Sequence, residues 1–221
     1  MVRYFFASIF IITILFSQCS NIVWKPATNN ESPSSRFLTD EKNESKDIIL
    51  IPDQAIKAEA EKVGLIPLKD ATLLENETEI RIIVGFGLAK SRWFVLNKKN
   101  NYRTSFIIFT YNRKGKFFYG KIELNTPTSG WKSFEDFLSA SGLTLPLRLK
   151  SDTKNLGTRD GEAIILEIKT GSYYEKATFH NPPFRVEGEK VIDICFNIKK
   201  QFGISLSCEL NRSGYENLNK N

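Results

Sequence analysis

Three cysteines, a single histidine and one loose group of carboxylates are the residues of this 221-residue chain from which covalent, metal or acid–base chemistry would have to be built. Cys195 and Cys208 lack the further soft ligands that a zinc site needs, and they are too far apart in sequence for the close pair of a thiol oxidoreductase. In an oxidising compartment they read as a structural disulfide joining the last helix to the last strand, with two buried thiols as the alternative. A closed loop of about 14 residues would contribute roughly 3 kcal/mol in the chain-entropy account. His180 stands beside Asn181, Pro182 and Pro183 without a metal-spaced partner and reads as a strand-end residue.

Paired-carboxylate catalysis needs two acids at a set separation whose environments push their pKa values apart. Asp160, Glu162, Glu167 and Glu175 form the one cluster that could be tested for this. Glu167 and Glu175 are expected to face each other across a hairpin, but Lys169 and Lys176 beside them point to a solvated, salt-bridged face. Gly85, Phe86 and Gly87 offer two glycines of a phosphate loop without the third glycine or the following helix, so they read as a bulged or tightly packed strand end. Ser91 and Thr104 have no base partner. With no catalytic constellation, metal set or cofactor motif, the chain reads as a non-enzyme that needs no cofactor.

Charge says more. The net +6 comes from one segment: residues 80–122 hold 10 Lys or Arg and no acid, residues 19–79 hold 7 basic against 12 acidic residues, and residues 123–221 hold 13 of each. Within the basic block Lys98, Lys99 and Arg103 form one loop cluster, and Trp93, Tyr102 and Tyr119 lie between the cations. Such a mixture suits anionic glycans or lipid headgroups, because cations meet charge while aromatics add contact area. Lys90, Arg92, Arg113, Lys114, Lys116 and Lys121 are the expected anion-binding residues, arranged as an extended stripe through Arg92 and Lys121. The competing reading is of ordinary solvated hairpins neutralised by the acidic N-terminal segment. Clusters 98–103 and 113–116, one strand apart, should lie at opposite ends of a meander.

The N-terminus says where this happens. Arg3 precedes an apolar run over 4–16 that is shorter than the roughly 20 residues needed to cross a bilayer, and polar residues follow it. Leu15, Phe16, Ser17, Gln18 and Cys19 resemble the lipobox of a bacterial lipoprotein, with Gln18 where Gly or Ala is usual; this looser form is similar to that of spirochaetes. The resemblance implies a signal peptide over 1–18, a mature chain that begins at an acylated (palmitate-bearing) Cys19, and a cell-envelope location. Ser20, where an aspartate would mark inner-membrane retention, implies the outer membrane. An exported protein rarely meets nucleic acid, so the expected partners are the membrane through the lipid, an anionic glycan or headgroup, or another envelope protein.

Residues 19–47 are polar and read as a flexible tether, about 30 Å long on average. A single domain follows over 48–221. Asp53 is the expected N-cap of a helix over 54–63, and Gly64 its stop. Strands are expected over 80–88, 92–96, 104–111 and 117–124, the third covered on both faces. A helix from Trp131 ends at Gly142, a short extended piece covers 143–149, and a hairpin joins 162–170 to 173–180. Val191, Ile194, Cys195, Ile198 and Phe202 mark a last helix stopped by Gly203, and a closing strand covers 204–210.

The expected fold is therefore α+β, a largely antiparallel sheet of about six to seven strands with two to three helices packed mainly on one face. Residues 131–138, Asp160 with Gly161, and Asn181 with Pro182 resemble a domain of uncharacterised bacterial exported proteins, a resemblance that implies no activity. The expected function is an anchored envelope binding or interaction module. A structural or accessory subunit of an envelope complex is the alternative, and a hydrolytic enzyme comes last.

Overall fold

Isoleucine, valine and phenylalanine on both parities of 80–84, 93–96 and 163–168 make strands that must be covered on both faces, and this requirement sets the layers. The computed structural model describes residues 25–26, 51–86, 90–113, 116–151, 163–180 and 186–206. Along them run β1 (Lys25–Pro26), α1 (Asp53–Lys62), β2 (Glu77–Phe86), β3 (Arg92–Lys99), β4 (Tyr102–Arg113), β5 (Lys116–Leu124), α2 (Trp131–Ala140), β6 (Ala163–Thr170), β7 (Tyr173–His180) and α3 (Val186–Phe202). The strands form one antiparallel sheet in the order β1-β5-β4-β3-β2-β6-β7. This is the expected α+β class. Strands β2 to β5 are a meander; the chain then passes through α2 and returns so that β6 pairs with β2.

Helices α2 and α3 cover one face. There Ile82, Val84, Phe94, Ile107, Ile164, Leu166 and Phe179 meet Phe134, Leu138, Val191, Ile194 and Ile198. Phe94, Phe134 and Phe202 pack at ring-centroid separations of 5.2–6.2 Å, two of the three contacts edge-on, the arrangement favoured by ring quadrupoles. Helix α1 lies on the other face, where Ile56 and Ala60 pack with Ile83, Trp93, Val95, Ile108 and Ile165. As expected, β4 is buried on both sides, Ile107 into one cluster and Phe106 and Ile108 into the other.

Several boundaries differ from expectation. Helix α1 starts at Asp53 with Pro52 at its N-cap and no side-chain cap, because the Asp53 carboxylate is held by Lys69 (2.8 Å) and Lys176 instead. Helix α3 begins at Val186, earlier than its apolar spacing indicates. Residues 143–149 form no strand, although Leu143 and Leu149 are buried in the core. Of the expected closing strand, 204–206 is irregular with Leu206 buried, and 207–210 lies outside the described residues. Inside the expected tether, Lys25 and Pro26 pair with Tyr119 and Phe118 of β5, an edge whose free backbone groups accept a further strand. At Gly85 (φ +76) the register with β6 slips between Val84 and Phe86, so the glycine pair begins with a β-bulge; Gly87 lies outside the described residues.

Candidate functional site

The register decides what the basic block can do. Arg92 stands opposite Phe109, and Lys121 opposite Ile108. Since Phe109 and Ile108 point to opposite faces, Arg92 and Lys121 do too, and the expected stripe does not form. Both are also engaged: the Arg92 guanidinium lies over the Phe109 ring and donates to the Ser205 carbonyl, while Lys121 Nζ sits 3.9 Å from the Phe106 ring centroid and 2.6 Å from Glu123. At the turn between β3 and β4, Lys98 and Arg103 both donate to Glu135 of α2, and Lys99 pairs with Glu77. Glu135 is pushed up by burial, but its bonds from Arg103 and Lys98 outweigh this and leave it below the usual carboxylate range.

The other cluster is gathered at the opposite end, as expected. Val84 pairs with Arg92 and Arg113 with Lys116, so the β2–β3 and β4–β5 connections share one end of the sheet. Lys90 lies there with its Nζ 5.7 Å from the Tyr111 ring centroid, and Lys116 is exposed. Lys114 lies outside the described residues. The acids paired with the rest of the block, Glu77, Glu79, Glu123 and Glu135, stand toward the far end.

The carboxylate cluster is rearranged. Glu167 and Glu175 do not face each other: Glu175 stands opposite Ile168, on the α2/α3 face, and accepts from the Leu147 amide and the Tyr173 hydroxyl. Glu167 points to the α1 face and is 2% exposed, and Lys169 is buried as well, so the expected solvated face is an interior. Its rows are Glu79–Lys169–Tyr174 and Arg81–Glu167–Lys176. Their cations hold irregular backbone in place: Arg81 donates to the Ile66 carbonyl (2.8 Å), Lys169 to that of Lys69 (2.6 Å) and Lys176 to that of Ile51 (3.1 Å). Buried carbonyls outside regular structure need such donors. Burial raises the Glu167 carboxyl, against a 2.7 Å bond from the Tyr174 hydroxyl and the Arg81 charge. Tyr174 is raised strongly by burial and by Glu167. Arg81 Nη1 and Glu167 Oε2 are buried without a hydrogen-bond partner among the described residues.

Beside this row the α1 face is open. Helix α1 spans 10 residues, about 15 Å of cover, and runs from Lys176 on β7 to Phe117 on β5. It leaves the β3–β4 turn corner bare. There a cleft of about 340 Å³ is lined by Glu77, Glu79, Asn97, Lys99, Tyr102 and Thr104, with Leu73 on one wall. Sequence reasoning named Lys99, Tyr102 and, without a role, Thr104, but not Glu77, Glu79 or Asn97. The missing signal is that Trp93 and Val95, then Asn97 and Lys99, change from apolar to polar at the same level as Phe106 and Thr104 on the paired strand.

Of the remaining candidates, Cys195 is buried in the α2/α3 core and Cys208 lies outside the described residues. His180 ends β7 opposite Ala163, and Asp160 and Glu162 lie outside the described residues. Among the described residues no three His, Cys, Asp or Glu side chains are grouped to hold a metal ion. Cys19 is likewise outside the described residues. No protein-family model matches the chain, and no curated protein or solved structure matches it.

Proposed function

We propose that the chain is a lipoprotein of the cell envelope, anchored at the outer membrane through an acylated Cys19, and that its domain is a binding module for an anionic polymer or lipid surface. The observation that carries the binding part is the gathering of Lys90, Arg113 and Lys116 at one end of the sheet, with the acids that neutralise the rest of the basic block toward the other. Charges grouped in this way attract a polyanion over about 10 Å at moderate salt. The anchoring part rests on the lipobox-like residues 15–19. Palmitate labelling of the native protein should report acylation, lost in Cys19→Ala; an unlabelled protein would defeat the anchor. Heparin and phosphatidylglycerol vesicles should bind the full chain with an affinity that falls steeply as salt rises. The triple change of Lys90, Lys114 and Lys116 to Glu should abolish that binding, and unchanged binding would remove the basic end from the reading.

The second reading, an accessory subunit of an envelope complex, draws on three large exposed apolar or aromatic side chains, Ile66 and Leu74 on the connection from α1 to β2 and Tyr173 at the start of β7. A stable complex recovered by crosslinking in the intact envelope, and lost in Ile66→Ser/Leu74→Ser, would favour it over the binding module.

A further inference from the structure

The cleft at the β3–β4 corner stands apart from the basic end, and its chemistry differs. Its charges cancel internally: Lys99 lies 3.2 Å from Glu77, Glu79 lies 2.6 Å from Arg81, and Lys98 on the adjoining strand is held by Glu135. An anion entering would have to displace a carboxylate from its cation, and a cation would have to displace a lysine or arginine. What remains on offer is a set of donors and acceptors that keep spare capacity while paired. They are the Asn97 amide, the Thr104 hydroxyl, the Lys99 ammonium and the Glu77 carboxylate, which between them both give and accept hydrogen bonds. At the rim is Tyr102, 68% exposed, a large flat surface held at a tight turn whose Asn100 has φ +50. A volume of about 340 Å³ falls at the small end of ligand-site sizes.

We propose that this cleft binds a neutral, polyhydroxylated ligand, a glycan segment of one or two sugar units, with Tyr102 against the apolar face of a sugar ring and Asn97, Thr104, Lys99 and Glu77 serving its hydroxyls. Hydroxyl groups are both donors and acceptors and carry no charge, which matches a floor whose ions are already paired. An exposed aromatic ring beside convergent polar groups supplies the contact area that hydroxyls alone do not. The site is independent of the basic end, so a module with both would contact an envelope polymer through two chemistries.

The test is nitrogen-15 chemical-shift titration of the full chain, held in micelles of a detergent without a sugar headgroup, with cellobiose, maltose and N,N′-diacetylchitobiose. At least one should give saturable shifts centred on Asn97, Lys99 and Thr104, with a Kd on the order of 1 mM for so open a site. Tyr102→Ala should weaken it by at least about tenfold, and Asn97→Ala by a smaller factor. Tyr102 is exposed, so its loss should leave the rest of the spectrum in place. Raising the salt, or the change of Lys90, Lys114 and Lys116 to Glu, should leave the affinity unaltered, which separates this site from the polyanion reading. Absence of saturable shifts with all three sugars, shifts centred elsewhere, or binding indifferent to Tyr102→Ala would each overturn the proposal.

Discussion

The two faces of the sheet are covered by different means, one by α2 and α3 and the other by α1 and the connection that follows it. The α2/α3 face is covered by a continuous apolar cluster in which three phenylalanines interlock. The α1 face is apolar under the helix and ionic beyond it, where Arg81, Glu167 and Lys169 sit under the connection that runs from α1 to β2. An apolar face tolerates imprecise partners, since burial is roughly proportional to area and has no direction. An ionic interior does not, because each group left unpaired costs its desolvation. The second face should therefore be the more sensitive to pH and the first to lost volume.

The largest effect should come from volume. Phe94→Ala removes a fully buried ring from the aromatic cluster, and about 3–5 kcal/mol of stability should go with it, read as a lower urea midpoint. A loss under about 1 kcal/mol would mean that the cluster collapses freely. Next comes Arg81→Ala, which strands Glu79 and Glu167 and frees the Ile66 carbonyl; about 3 kcal/mol is expected. Arg81→Met, which keeps the bulk, should also lose most of this if charge matters more than packing. Equal recovery of full stability by Met would make the two faces alike.

The smallest and most specific effect is on pH dependence. The Glu167 carboxyl is raised in the folded state, so above the ordinary glutamate value the folded chain holds a proton that the unfolded chain has released. Stability should fall as pH rises from that ordinary value through the raised one. Glu167→Gln should remove this segment of the pH–stability curve and leave the rest unchanged. Stability that rises with pH over that window in the wild type would reverse the assignment.

The apolar face was the legible one. The apolar run at 80–84, the aromatic and β-branched runs of β3 to β5 and the glycine stops at Gly142 and Gly203, both at positive φ, were enough to place strands β2 to β5 and the ends of the last two helices. Glu167 and Lys169 were not legible, since charges on a hairpin strand normally face water. Their burial depends on β6 pairing with β2 in the interior of the sheet and on residues 66–69 folding across them, two long-range events that leave no local periodicity. The stripe through Arg92 and Lys121 failed for a related reason, because faces alternate residue by residue and the register was unknown. The cleft needed the same information: Asn97 and Thr104 are unremarkable until they are cross-strand partners.

The two residues of β1 have a mechanical consequence. With Cys19 as the lipid attachment, five residues, and so six residue-to-residue steps, would separate the anchor from Lys25, which is fixed on β5 opposite Tyr119. Six steps reach at most about 21 Å, so an anchor at Cys19 would leash the domain close to the bilayer by its β5 edge instead of letting it range on a long coil. Lys25 lies opposite Tyr119 in an antiparallel pairing, so the leash joins β5 three positions from Lys116. Such a short leash would turn a second contact into an intramolecular one at millimolar effective concentration, so a headgroup contact with a Kd on the order of 0.1 mM would be largely occupied in the anchored domain.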